Sequence, residues 1–459
     1  MSAKKKIGYS LAALAVVAGI GVFGRLWMVM DSSRSEVADN TTKLADFHST
    51  DAAAIKRGEY AMRLGDCAAC HEQSFAGGYK INTPFGELQT SNISPDRETG
   101  IGNMTERDFF NAVRLGRGDH GFLYPAMPYT AYAKMSDRDM HDLWAYMSTL
   151  KPVSNKVDEN GGMNFPYNIR LAMAGWNLLF FDNSGFRPEN LKTTRNTPNA
   201  ENASAEKVIN RGKYIVDGPA HCSVCHTARN ALGGEIGSQY LQGGNLGDWY
   251  APDITPNPHA GIGTWSNDEI AQYLKTGSDG KSVAAGPMAE AVEHSMQYFT
   301  DSDLQAVAAY LKSLPASNTP APKALAMDDA ARSKGALTFE VNCSACHGEK
   351  GEGIAGMVPA FAGNGSMRNN PTNMITAMLN GARAPHTADR QTAAGMPSFD
   401  WKMDDQQIAD ILNYVRNSWG NQAGEVTAQE VAALRKQTKA RNNLQPAALK
   451  DASQKNDAK

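Results

Sequence analysis

The chain has 459 residues, of which 42% are hydrophobic and 20% are charged, and its formal net charge is −3. Such a length predicts about three domains, and the absence of a basic excess argues against a protein that binds nucleic acid. The six cysteines restrict the chemistry further, because all of them lie in three copies of one pentapeptide and none is left for an ordinary disulfide.

The N-terminus carries a candidate membrane anchor. Residues 7–24 contain no charged side chain, follow three consecutive lysines and lead to Trp27. An uncharged run of this length suffices for a transmembrane helix, and the lysines are expected to stay on the cytoplasmic side. We therefore predict an uncleaved signal anchor over residues 1–31. A cleaved signal peptide is the alternative, although no A-x-A site follows the run; both place the body of the protein outside the cytoplasm.

The pentapeptide Cys-x-x-Cys-His is the attachment signature of c-type haem: two thiols bond to the haem vinyl groups, and the adjacent histidine binds the iron. A zinc site would pair the Cys-x-x-Cys units two by two, which three units do not allow. A thioredoxin-like site needs one such unit. We therefore predict three covalently bound haems c, at Cys67, Cys70 and His71, at Cys222, Cys225 and His226, and at Cys343, Cys346 and His347.

The sequence around each motif repeats as well. A short helix is predicted upstream of each motif, and a closing helix with a Ser, Thr or Asp cap is predicted downstream, at residues 136–150, 300–314 and 404–419. Helix, motif, loop and closing helix are the plan of a small class I cytochrome c domain. We therefore predict a mainly α protein with three tandem domains of this class behind the anchor, at residues 52–151, 206–315 and 328–421.

Each domain is expected to supply a methionine as the second axial ligand, because thioether ligation is common in cytochromes c that transfer electrons. The position before the closing helix selects Met127, Met288 and Met396, each next to a proline. The competing methionines are Met104, Met135, Met296 and Met403, for which packing in the core is the simpler role. Bis-histidine ligation is a further alternative, through His120, His294 or His386.

Three segments lie outside the predicted domains. Residues 152–205 are too long for a plain loop and contain an apolar stretch, so we expect a helix that covers the seam between haem domains or a docking surface. Residues 316–327 read as a Pro/Ala linker. Residues 422–459 form a polar tail with one helix candidate at residues 428–440, followed by a charged and disordered end.

Further motifs resemble one family. They are Gly-x-Tyr at residues 58–60, Asn-Ile-Ser-Pro at 92–95 with Gly-Ile-Gly at 100–102, Tyr-Pro-Ala-Met-Pro-Tyr at 124–129, His-Ser-Met-Gln-Tyr at 294–298 and Ser-Trp-Gly-Asn at 418–421. Over residues 55–435 the chain resembles the three-haem cytochrome c subunit of bacterial membrane-bound dehydrogenases for alcohol, gluconate, fructose or aldehyde.

The resemblance implies a function. A catalytic subunit on the periplasmic face of the inner membrane oxidises its substrate, and this subunit carries the electrons through its haems to membrane ubiquinone. The resemblance also implies His71, His226 and His347 as proximal ligands, and Met127, Met288 and Met396 as distal ligands. Relatives that pair with alcohol or gluconate dehydrogenases are rich in Trp and Pro between the first two domains, and this chain is not. The partner can therefore be a quinoprotein, a flavoprotein or a molybdenum enzyme.

The chain itself offers no motif for substrate chemistry. It contains no phosphate-binding loop, no H-E-x-x-H and no nucleophile elbow, and a six-coordinate haem leaves no open position at iron. We therefore expect an electron-transfer subunit of a quinone-reducing dehydrogenase complex. The alternative function is a membrane-tethered multihaem electron shuttle, or an oxidase-linked cytochrome, without a dedicated dehydrogenase. A peroxidase or redox sensor would need an open haem.

Overall fold

The structure, a computed structural model, describes residues 41–182, 200–368 and 370–444. The predicted anchor at residues 1–31 lies outside the described residues. Among those that are described, no helix is long and apolar enough to cross a membrane.

Domain 1 is built around two helices, α1 and α5, whose buried faces meet in one apolar core. Phe110, Met140 and Trp144 are almost completely buried in this core. The elements in chain order are α1 Ala52–Leu64, α2 Cys67–His71, the antiparallel pair β1 Lys80–Thr83 and β2 Gly86–Gln89, α3 Glu106–Leu115, the antiparallel pair β3 Arg117–Gly118 and β4 Gly121–Phe122, α4 Tyr129–Tyr132, and α5 Asp137–Met147.

The segment after domain 1 packs against that domain. Its helix α6, Ala172–Phe180, brings Asn177 to the Tyr129 hydroxyl, which donates a hydrogen bond of 2.6 Å to the Asn177 side-chain oxygen. The ring of Phe181 meets Tyr129 edge-on at 5.2 Å between centroids. Leu171 and Leu179 are 67% and 66% exposed, so the apolar stretch covers domain 1 with one face only.

Domain 2 repeats the plan of domain 1. Ile270, Val292, Leu304 and Val307 are buried in its interior. The elements are α7 Ala200–Asp217, α8 Ser223–His226, a 3-10 turn Gly237–Gln239, the antiparallel pair β5 Gly244–Asn245 and β6 Tyr250–Ala251, α9 Asn267–Thr276, α10 Pro287–His294, a 3-10 turn Met296–Tyr298, and α11 Asp301–Ser313.

Domain 3 repeats the plan again and adds a C-terminal helix. Its elements are α12 Asp329–Asn342, α13 Ser344–His347, a 3-10 turn Gly365–Met367, α14 Thr372–Asn380, the antiparallel pair β7 Ala382–Arg383 and β8 Gly395–Met396, α15 Asp405–Arg416, and α16 Ala428–Leu444. Val426 and Val431 are buried in the core of this domain. The core therefore continues beyond residue 421, the predicted end of the domain, because α16 carries apolar side chains onto α15.

The predicted Pro/Ala linker is also held in place. The Ser317 hydroxyl donates to the Asp253 carboxylate at 2.5 Å, and the Asn257 side-chain amide donates to the backbone oxygens of Ser317 and Thr319, at 2.9 Å each. The first part of the linker is thus bound to domain 2.

The three closing helices start at the predicted caps. The Ser136 and Thr300 hydroxyls accept a hydrogen bond from the backbone N–H three residues on, at 3.1 and 3.2 Å, and the Asp404 carboxylate does so at 2.8 Å. Each cap satisfies a backbone donor that the first turn of a helix leaves without a partner. The cap residues thus fix where each closing helix begins.

The described chain divides into two compact units. The first comprises the chain up to Ala200 together with Tyr214–His221, and the second comprises Glu201–Lys213 and the chain from Cys222. The second unit therefore contains domain 3 and most of domain 2.

Candidate haem sites

The three cysteine motifs lie at the short helices α2, α8 and α13: Cys67 is the first residue of α2, and Cys222 and Cys343 are the N-cap residues of α8 and α13. None of the six cysteines forms a disulfide. Two side chains three residues apart lie on the same face of a helix. The two thiols of each motif are therefore presented side by side, as attachment to one macrocycle requires.

Each motif histidine is oriented by a backbone carbonyl group. The Nδ1 atom of His71 lies 2.7 Å from the Ser91 carbonyl oxygen, and that of His226 lies 2.7 Å from the Pro252 carbonyl oxygen. The third, His347, lies 3.2 Å from the carbonyl oxygen of Pro359. A carbonyl can only accept, so Nδ1 carries the proton and Nε2 is free to bind a metal.

Burial favours the neutral form of these histidines. Desolvation lowers the pKa of His71, His226 and His347, although the carbonyl acceptor acts in the opposite direction in each case. A histidine binds iron through its neutral ring. The same arrangement occurs three times, which fits the role predicted for the three histidines as proximal ligands.

Met127 is held by backbone hydrogen bonds on both sides. Its N–H donates to the Tyr124 carbonyl at 3.0 Å, and its own carbonyl accepts from the Tyr129 N–H at 2.8 Å. The neighbouring tyrosines are anchored in turn: the Tyr124 hydroxyl donates to the Tyr167 carbonyl at 2.8 Å, and the Tyr132 hydroxyl to the Gly65 carbonyl at 2.5 Å. The Met127 segment is thus fixed to the loop two residues before Cys67.

Met288 and Met396 lie in different local structures. Met288 is the second residue of α10 and packs, partly buried, against Ala284, Ala289 and Val292. Met396 ends β8, pairs with Ala382 across the hairpin and packs on the edge of the core of domain 3. Both methionines are partly accessible, as a ligand to an added group must be.

The competing residues divide by their burial. Met104, Met135 and Met403 are 7%, 2% and 5% exposed and belong to the apolar cores, which is the packing role expected for them. Met296 is partly buried beside Met288. His120 and His386 are exposed, and His294 is the last residue of α10. The ligand assignment to Met127, Met288 and Met396 stays a prediction.

Similarity to known proteins agrees with this geometry. The family model for cytochrome c matches residues 55–151, 209–315 and 333–419. The chain belongs to the cytochrome c family. The prediction of a mainly helical protein with three cytochrome c domains is therefore confirmed, and the three matched stretches coincide with the three repeats.

Curated relatives are similar along most of this cytochrome c. The gluconate 2-dehydrogenase cytochrome c subunit of Pantoea cypripedii is 38% identical over 86% of this chain and 92% of its own. The cytochrome c subunit of the quinone-type alcohol dehydrogenase of Gluconacetobacter polyoxogenes is 38% identical over 86% of each chain. The fructose dehydrogenase cytochrome subunit of Gluconobacter japonicus is 37% identical over 83% and 82%. The resemblance inferred from the sequence motifs is confirmed.

The residues of this cytochrome c fit covalent haem c. Each site offers two thiols on one helical turn and a histidine whose Nε2 atom is free. Among the residues that the structure describes, no group of three or more His, Cys, Asp and Glu side chains could hold a metal ion by itself.

The sequence analysis did not predict the carbonyl groups that orient the histidines. Ser91, Pro252 and Pro359 lie 20, 26 and 12 residues after their histidines, so spacing alone does not reveal them. A signal was nevertheless available, because Ser91 and Pro252 directly precede the repeated Asn/Asp-Ile-x-Pro stretch.

His221, which directly precedes Cys222, was also missed. Burial lowers the pKa of this histidine to about 4, and its ring meets Tyr132 edge-on at 5.6 Å between centroids. Both contacts of Tyr132, to His221 and to the Gly65 carbonyl, arise from the folding of residues that are distant in sequence. No local sequence pattern predicts these two contacts.

Proposed function

We propose that this cytochrome c is the electron-transfer subunit of a periplasmic dehydrogenase complex and carries electrons through three covalently bound haems to ubiquinone. The observation that carries the proposal is the threefold occurrence of one arrangement, Cys-x-x-Cys-His with the histidine Nδ1 on a backbone carbonyl. When bound, haem c supplies reversible one-electron chemistry. Similarity along most of the chain to cytochrome subunits of gluconate, alcohol and fructose dehydrogenases supports the dehydrogenase as partner.

In this proposal the chain holds and orients the haems and leaves substrate oxidation to the partner. Cys67, Cys70, Cys222, Cys225, Cys343 and Cys346 hold the haems covalently, His71, His226 and His347 bind iron from one side, and Met127, Met288 and Met396 from the other. The relatives are cytochrome subunits of dehydrogenases for gluconate, alcohol and fructose, and we propose an alcohol, a sugar acid or an aldehyde as the substrate of the catalytic partner. Its cofactor, whether quinone, flavin or molybdenum, is left open.

The proposed location is the periplasmic face of the bacterial inner membrane. The support is the uncharged run at residues 7–24 behind three lysines. The predicted haem attachment fits the same location, because haem c is joined to a chain after its export. An anchor would keep the haem domains close to ubiquinone, which is confined to the lipid.

The test is to purify the chain with its partner from membranes and to add gluconate, ethanol or fructose in turn. We expect a large catalytic chain to co-purify, haem analysis to give three haems per chain, one substrate to reduce them, and a ubiquinone analogue to reoxidise them. The variant Cys343→Ala/Cys346→Ala should carry two haems. Recovery without a partner, with haem reduction only by a quinol-oxidising complex, would instead support the electron-shuttle alternative.

A further inference from the structure

The segments that carry the proposed distal ligands of the second and third haems lie in the same compact unit. Met288 is near the start of α10, Pro287–His294. Met396 ends β8 and pairs with Ala382 in β7. The two segments come from different domains, and one side chain contacts both of them.

That side chain is Glu293, near the end of α10. Its Oε2 atom accepts a hydrogen bond from Arg383 Nη2 at 2.8 Å and from the His386 backbone N–H at 3.0 Å. Arg383 follows Ala382, the strand partner of Met396. One carboxylate of the Met288 helix therefore holds the strand on which Met396 is paired.

Neighbouring contacts keep this junction in register. The side-chain oxygen of Gln297 accepts from the Ala388 N–H at 3.0 Å. Gly277, in a left-handed conformation with φ of 78°, lies so close to Pro385 that an added Cβ would stand 2.2 Å from its Cγ atom. The first part of the loop between β7 and β8 thus contacts domain 2 through Pro385, His386 and Ala388.

The contact is a charged one. Burial alone would raise the pKa of Glu293, but the His386 N–H and the Arg383 guanidinium outweigh it, so the pKa is lowered overall. The Glu293 side chain is 20% exposed, and that of Arg383 is 54% exposed. A half-buried carboxylate with two donors is a much stronger tether than an exposed ion pair.

We propose that Glu293 is a positioning residue shared by the second and third haems, which fixes the Met288 and Met396 segments relative to each other. The proposal rests on the distal-ligand assignment in the proposed function. A thioether ligand raises the potential of haem iron, so a segment that no longer holds its methionine firmly gives a lower potential. Packed segments transmit small displacements to each other, and the two haems therefore respond together.

The test is a redox titration of the full chain that resolves three haem potentials. Met288→Ala and Met396→Ala identify the second and third haems, since each should abolish the methionine-to-iron charge-transfer band of one haem. We then expect Glu293→Ala and Arg383→Met each to lower both of these potentials by about 28 mV or more, which is about a threefold change in the reduction equilibrium. Glu293→Gln keeps an acceptor for the His386 N–H. This variant and Arg383→Lys should keep both potentials close to those of the unchanged protein.

The signs separate positioning from a simple charge effect. Removing a negative charge near haem should raise its potential and removing a positive charge should lower it, so opposite shifts in Glu293→Ala and Arg383→Met would overturn the proposal. A shift at one haem, at all three, or at none would overturn it as well. Asp301→Asn, which breaks the exposed Lys275–Asp301 ion pair of domain 2, is the control and should leave all potentials unchanged.

Failure of the underlying assignment is recognised separately. If Met288→Ala or Met396→Ala leaves every charge-transfer band intact, the ligand assignment is wrong and the shared-positioning proposal falls with it. If both bands are lost as expected but the Glu293 variants shift nothing, only the positioning proposal is wrong.

Discussion

Gly58 of α1 lies directly against the backbone carbonyl of Asp142 in α5, where a Cβ atom would come within 1.8 Å of the oxygen. Gly212 meets the Ala306 carbonyl in the same way, at 1.9 Å, and a Cβ at Gly335 would come within 2.5 Å of the Tyr414 Cβ. All three domains therefore cross their first and closing helices at a glycine, and this crossing places the haem-binding motif that follows the first helix.

The substitution Gly58→Ala should destabilise domain 1. Alanine favours helix by about 1 kcal/mol over glycine, but here its methyl group would overlap a backbone atom that no side-chain rotation can move. We expect a net loss of about 1–3 kcal/mol in the free energy of unfolding, measured by urea denaturation. The spectrum of the first haem should change before those of the other two.

A second glycine provides the matched control for this substitution. Gly175 is exposed within α6, and an added Cβ there meets nothing within 4 Å. Gly175→Ala should leave stability unchanged or raise it by up to about 1 kcal/mol. Equal effects of the two substitutions would mean that the helix crossing does not require glycine.

Met127→Ala should lower the reduction potential of the first haem and leave the other two nearly unchanged. The expected change follows from loss of a thioether, which raises the potential of haem iron when bound. Redox titration of the full chain measures it, and Met127→His should lower the same potential.

The control is Met135→Leu, in the same domain. Met135 is 2% exposed in the apolar core, so this volume-conserving change should cost less than about 1.5 kcal/mol of stability and leave the potential unmoved. A potential that responds to Met135 and ignores Met127 would reassign the ligand.

The ion pair between His141 and Glu106 should make the stability of domain 1 depend on pH. The Nδ1 atom of His141 lies 2.6 Å from Glu106 Oε1, and this hydrogen bond raises the pKa of His141 despite partial burial. A raised pKa means that the pair stabilises the fold fully below the unfolded value of 6.5 and loses this contribution as pH rises through the folded value. Asp137 supports the charge, whereas Arg114 opposes it.

Urea denaturation at about pH 5.5 and about pH 8.5 would measure this contribution. Glu106→Gln keeps an acceptor but removes the charge, so it should cost a few tenths of a kcal/mol at the lower pH and less at the higher one, because His141 is half exposed. A cost that grows with pH would contradict the assignment.

The residues that sequence could predict are those with local signals. Ser136, Thr300 and Asp404 were identifiable as caps because a cap bonds to a backbone N–H three residues away. The Pro359 carbonyl was not, because domain 3 lacks the Asn/Asp-Ile-x-Pro stretch that follows Ser91 and Pro252, and its reach to His347 depends on a loop of different length. The packing of α16 was not predictable for a similar reason: Val431 reads as part of a polar segment until α16 is placed on α15.

Arg416 is a second feature of domain 3 that only tertiary structure reveals. Its side chain is 1% exposed and donates to three backbone carbonyls, those of Met367 at 2.9 Å, Gly424 at 2.9 Å and Arg368 at 3.1 Å. Burial lowers its pKa to about 10, so it stays charged at neutral pH. One side chain thereby ties α15 to the 3-10 turn Gly365–Met367 and to the chain that leads into α16.

Arg416→Met should therefore destabilise domain 3 by about 3 kcal/mol, because it fills a similar volume but leaves buried carbonyl oxygens without donors. Urea denaturation measures the loss, and amide hydrogen exchange should show faster opening of residues 424–431. Arg332→Met on the exposed face of α12 is the matched control and should change stability by less than about 0.5 kcal/mol. If Arg416→Met unfolds at the same urea concentration as Arg332→Met, α16 is held by its apolar contacts alone and the three hydrogen bonds contribute nothing net.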